Sequence, residues 1–486
     1  MALPLALFMV LLLSIVGASL MFVSRAETVS SHNYRLMTQA RYGAEAGVHA
    51  AANFLVSPAY QALAPGSASD SLANYNTTVS PVTVASTGAP VTLSTSGTTT
   101  STYPLSAVRS AFATAASGTL QVQNAPVQYT AVATLMSMQQ IADSFSGQPV
   151  LLQRWAISAT GAIAGARHAE VQVVSTLERQ SRPIYAYAAY AVDNGCAALS
   201  FSGGATTNSY DSAAPLHNGI PVLTASDGNV GTNGNITEVG ATTAVNGSLS
   251  TPRTGVGACT DSNVTAATLS GGAVITQGVV QLSQRIDFPV PPQPSPLPPT
   301  TAQGFTQNGG CPAGVSYCVA ISNGARITPP SATSTITLGN VTTNGSSEVH
   351  LNAGTYIVNS ITMNGNSKIV IDSGPVVINV AGVGQTTPLT ITGQGLVNTT
   401  FRPTDLQFIY GGTGQIKLAG GDNSAALIYA PVASAAISGG ADLYGAIVVN
   451  KLTETGGSAI HYDTRLKTSA MTAGNHTLSA FSWTTY

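Results

Sequence analysis

Apolar side chains dominate residues 1–24, a stretch with no charged residue. From Arg25 the pattern turns amphipathic while keeping a helical period. Val29, Leu36, Met37, Ala40, Ala44, Gly47, Val48, Ala51 and Leu55 recur at spacings of three and four, which predicts one helix face. The two halves read as one helix over residues 1–56. The first half is long enough to cross the apolar core of a bilayer, about 30 Å thick. A helix of this length reaches roughly 80 Å, more than a soluble domain needs and well suited to stacking in a filament. Gly17 marks the expected place for any interruption, because glycine costs about 1 kcal/mol against alanine inside a helix. Small residues at 40, 43, 44, 46, 47 and 50–52 would allow close approach of a neighbouring helix.

Beyond the helix the period changes. Residues 57–103 are polar and of low complexity, and predict loops with a few short strands. LQVQNAPVQYTAVATLM, LLQRWAISATGAIAG and RHAEVQVVSTLERQ then alternate apolar and polar, predicting three long strands of an antiparallel sheet separated by SFSGQP and AIAGA. This sheet would cover the second half of the helix and complete a domain over 57–185.

Residues 186–486 carry a third pattern, in which Asn-Gly recurs and short apolar alternations lie between. ITLGNVTTNGSSEVHLNAGT (336–355) aligns with YIVNSITMNGNSKIVIDSGP (356–375), matching Val341 with Ile361, Asn344-Gly345 with Asn364-Gly365, and Val349 with Ile369. Leu427-Ile428-Tyr429 and Ile447-Val448-Val449 also lie 20 apart. So short a repeat cannot bury its apolar face alone and must stack on its neighbours. Helical periodicity is missing, so the prediction is a parallel β-helix, with 228–250 adding coils and the Pro-rich 288–299 as an extended excursion. The fold class is thus α+β followed by all-β: a long N-terminal helix with an antiparallel sheet, then a β-solenoid head. A single-pass anchor and a generic β-sandwich are the plainer alternatives.

Composition narrows the chemistry. Only 7% of residues are charged and the net charge is −2, so no nucleic acid partner is expected. Four cysteines suit an oxidising compartment. Cys311 and Cys318 bracket a short Pro-Gly loop that a disulfide could close, which leaves Cys196 with Cys259; there is no CxxC for zinc. No catalytic motif, cofactor fingerprint or metal-spaced histidine pair is found, and the acidic residues of the head are dispersed, so the chain reads as a non-enzyme. His350 and His461 read as solenoid surface. Asp211 and Asp227 sit in sequences that could touch calcium or could be ordinary turn aspartates. The charge-free run begins at Met1 with no basic residue ahead of it, which predicts that a short basic leader is removed in front of Met1.

That processed, charge-free start, followed by QARYGAEAGVHAAANFL (39–55), resembles type IV pilin-like proteins, especially large minor pilins of the PilX type. The helix-then-three-strands plan is similar too, as is RWAISATG before a charged third strand. The resemblance implies a structural subunit of a type IV pilus or related extracellular filament on the cell surface. A prepilin peptidase would cut before Met1, leaving a free or methylated amine. The apolar half-helix would be held in the inner membrane, then in the filament, with other pilin subunits meeting Leu5, Gly17, Ala40, Gly43, Ala44, Gly47 and Ala51. Major pilins usually have Glu at the fifth mature position; here it is Leu5, as in certain minor subunits thought to start or cap a filament. The other readings are an anchored adhesin whose head takes a surface or glycan ligand, and a tethered carbohydrate-active β-helix enzyme.

Overall fold

The computed structural model describes residues 2–57, 60, 75–122, 125–142, 149–164, 168–332, 334–392, 395–420, 424–468 and 472–485. Met1, most of the SFSGQP separator and the last two residues of AIAGA lie outside them. The N-terminal helix, Ala2–Val56, is continuous over 55 residues. It is not interrupted at Gly17, because a single glycine costs only about 1 kcal/mol in a helix and leaves the hydrogen-bond ladder intact.

Its second half lies on an antiparallel sheet. Strands Ala125–Ala142, Pro149–Ile163 and Ala169–Pro183 pair in sequence order, flanked by Thr92–Ser94 and Gly118–Val122, which both pair with Ala125–Ala142. Alternation decides which side faces the helix: Val127, Ala131, Trp155, Ile157, Ala159, Val173 and Leu177 are buried with Ala40, Ala44, Val48, Ala51 and Leu55 in one core. A second helix, Ser106–Ala115, was not predicted. Its Ser, Thr and Ala content masks a short apolar pair, Val108 and Phe112, both buried. Phe112 meets Phe54 of the long helix edge-on at 5.3 Å.

The head is a parallel β-solenoid. The 20-residue repeat is its rung spacing, because Val341 pairs with Ile361 and Val349 with Ile369. The later interval is one residue shorter than the sequence spacing suggests: Ile428 pairs with Ile447. One interior row runs Val341, Ile361, Leu389, Ile416, Ala435, Leu452, Leu199, Ile236, Ala267 through successive rungs, all buried. Gly345 and Gly365 turn successive corners with φ +67 each, a conformation only glycine adopts without cost.

That row also shows that rung order is not chain order. The first coil, with Leu199–Ser202, sits between Ile236–Val239 and the late strand Asp442–Glu454. The chain winds outward from the first coil to Val279–Gln281, crosses to the far end, and winds back until its last coil closes on its first. The crossing is made by the Pro-rich segment. It must cover roughly 40 Å at about 4.8 Å per rung, within reach of residues 282–301 at about 3.1 Å per residue. Along the way Ile286 exchanges two 2.8 Å hydrogen bonds with Asn233. Phe288 packs on Tyr190 at 4.8 Å, Tyr429 donates to the Pro289 carbonyl at 2.7 Å, and the Thr301 carbonyl accepts from the Asn340 amide.

One boundary differs from the sequence expectation of a head over 186–486. The last strand, Thr472–Thr485, leaves the solenoid and pairs antiparallel with Ala169–Pro183 of the first sheet. That strand would otherwise leave a long open edge, which folded proteins cover.

Candidate assembly helix

Every described side chain from Leu3 to Val23 is exposed, and the helix is long and apolar enough to cross a membrane. Leu5 is 71% exposed and offers no carboxylate. Gly17 has no atom near the place a Cβ would occupy. In the second half the outer face carries the Arg41–Glu45 ion pair at 2.8 Å, along with exposed Tyr34, Met37 and Tyr42.

The small-residue face does something other than what the sequence suggested. Ala40, Ala44 and Ala51 are fully buried against the chain's own sheet. A Cβ on Gly43 would lie 2.3 Å from Val127 Cγ1, and one on Gly47 would lie 2.9 Å from Ala159 Cβ. These five positions are therefore occupied within the molecule, and enlarging them tests packing on the N-terminal sheet before it tests subunit contact. The sequence reading also missed the glycine opposite. A Cβ on Gly161 would fall 2.0 Å from the Ala40 carbonyl oxygen and 2.4 Å from the Ala44 amide nitrogen, so helix and strand backbones touch there. What remains free for other chains is the apolar half with Leu5 and Gly17, and the outer face bearing Tyr34, Met37 and Tyr42. Beneath the helix, Arg179 is buried over the Tyr60 ring at 4.7 Å and donates to Gln153 at 3.1 Å; burial lowers its pKa.

In the head, the cysteines are joined as Cys196–Cys259 and Cys311–Cys318. Each pair staples one end of the solenoid. Cys318 opens the outermost strand, Cys318–Ile321, of its sheet, and Cys259 lies in the loop whose Val256 bridges the outer edge of Ala267. Asp211 and Asp227 are ion-paired, to Arg465 at 2.7 Å and Lys467 at 2.5 Å, so their carboxylates serve a protein contact. His461 is buried, a correction to the surface reading; it stacks on Tyr444 at 4.4 Å and hydrogen-bonds Asn208. His350 is half-buried between Asp372 at 2.8 Å and Glu348 at 3.3 Å. Among the described residues no group of three or more His, Cys, Asp or Glu is placed to hold a metal.

Two glutamates escaped the sequence reading. Glu454 and Glu238 point into the solenoid core on either side of Phe201, in one interior row, and both are fully buried. Neither oxygen of Glu238 has a hydrogen-bond partner among the described residues, nor does one oxygen of Glu454. Burial raises Glu238 to about 8 and pushes Glu454 well above the carboxylate range. Only their position in an alternating strand could have flagged them.

Comparison with known proteins fits this geometry. Residues 1–49 match the PilX N-terminal family model. That match, with a long exposed apolar helix laid on an antiparallel sheet, defines the class: the N-terminal part is that of a type IV pilin-like protein of the PilX type. Residues 331–469, within the solenoid, match a family described as a domain of unknown function, DUF7305. No curated protein matches the chain significantly. Among solved structures, the competence-associated pilin ComZ from Thermus thermophilus aligns over 76% of this chain and 86% of its own, at 12% identity and a TM-score of 0.23, too low to carry an argument.

Proposed function

We propose that the chain is a structural subunit of a type IV pilus or related extracellular filament, polymerising through its N-terminal helix and displaying the solenoid outside the cell. The observation that carries this reading is the division of labour along one unbroken helix. Residues 40–55 are fixed to the chain's own sheet, while the described side chains of residues 3–23 are exposed, with no described residue of this molecule covering them. Such a surface needs lipid or other apolar helices. In this reading a prepilin peptidase processes the subunit, the inner membrane holds it before assembly, and other pilin subunits replace the lipid afterwards.

The test is a charge placed in the free half. Leu12→Asp touches nothing in the head, so the purified variant should keep the parent's melting temperature while the head label disappears from sheared surface filaments. Normal incorporation of the variant would defeat the proposal.

A further inference from the structure

We infer that the loop spanning residues 211–227 is a lipid-contact tip that inserts into an uncharged bilayer surface. Leu216, Ile220, Val222 and Leu223 are 41–60% exposed within eight residues of chain. Asn218 and Gly219 turn the loop with φ 52 and 82, and His217 and Ile220 pair backbone to backbone across that turn. The apolar side chains therefore sit around a hairpin tip, where collapse onto the solenoid would bury them if the loop were free to fold back.

It is not free. The Asp211 carboxylate at its start accepts two hydrogen bonds from Arg465, at 2.7 and 3.2 Å. The Asp227 carboxylate at its end accepts one from Lys467 at 2.5 Å. Both cations stand on one short turn, Thr464–Thr468, and Ser209, just ahead of the loop, pairs backbone to backbone with Thr224 near its end. Both ends of the loop are thus clamped to one element, which holds the tip outward.

Charge and area select the occupant. Residues 212–226 contain no Asp, Glu, Lys or Arg, and the two cations at the base are engaged by Asp211 and Asp227. Attraction to anionic headgroups is therefore not built in. Four half-exposed aliphatic side chains offer on the order of 300–400 Å², well below the roughly 800 Å² per partner of a stable protein interface. Insertion into the boundary between headgroups and acyl chains needs no complementary surface, only apolar side chains that leave water. The inference does not rest on filament assembly.

The full chain, held by its helix in phosphatidylcholine nanodiscs, carries Val222→Trp as reporter and the parent chain as background. Vesicles of phosphatidylcholine brominated on its acyl chains are then added. At least a twofold quenching of the added tryptophan is expected, unchanged by including phosphatidylglycerol and lost in an added Leu216→Ser/Ile220→Ser background. No quenching above the parent, or quenching that requires the anionic lipid, would overturn the inference. A blue shift of the reporter with a second protein copy but not with vesicles would assign the tip to a protein groove and overturn it as well.

Discussion

At the scale of single residues, Gly161 and the two buried glutamates have the largest consequences. Gly161 lets strand and helix backbones meet, and any side chain there would enter the helix between Ala40 and Ala44. Gly161→Val should cost on the order of 3 kcal/mol in the N-terminal domain, seen as a lowered first melting transition with the solenoid transition unchanged. Glu238 and Glu454 act on the solenoid. A carboxyl whose folded pKa is raised favours the folded state fully below its ordinary value near 4.5, and that contribution is lost as pH rises through the folded value, about 8 for Glu238. The solenoid's melting temperature should therefore fall by several degrees between pH 5 and pH 9. The double change Glu238→Gln/Glu454→Gln should flatten the slope; an unchanged slope would mean that neither group sets it.

Elements carry a different set of constraints. A solenoid rung is stable only between neighbours, so the two ends are its weak points, and both carry a disulfide. In the loop-entropy account a closure across 63 residues is worth about 4 kcal/mol and one across 7 about 2 kcal/mol. Cys196→Ser/Cys259→Ser should therefore lower the solenoid transition more than Cys311→Ser/Cys318→Ser. Hydrogen exchange should accelerate near 252–281 in the first variant and near 311–327 in the second. The Pro-rich segment is a third element that the sequence describes only by its stiffness. In the fold it is the tie between two groups of coils that chain order keeps apart.

For the molecule as a whole, the proposed function makes a claim about position in a filament. The wide solenoid head adds crowding to any shaft position. On the proposed function we expect this chain at a filament end, in one or a few copies when labelled heads are counted by electron microscopy. A continuous lattice of this chain would reverse that expectation.

Patterns of short range were legible without a structure: the charge-free start, the helical period to Leu55, the alternation of three long strands, and the 20-residue repeat. Each is written in neighbouring residues, because helices, strands and stacked rungs impose their periods locally. Pairings between distant segments were not. The sheet's cover over the second half of the helix was expected, but how closely the small-residue face approaches it depends on Gly161, more than a hundred positions downstream. That the last coil closes on the first, that the final strand returns to the N-terminal sheet, and that two glutamates flank Phe201 all follow from which edges and faces remained to be covered once the elements had formed. The sequence therefore determined the elements and their periods, and the tertiary structure decided which surfaces were used within the molecule and which, along the first half of the helix and at the clamped loop, were left for something else.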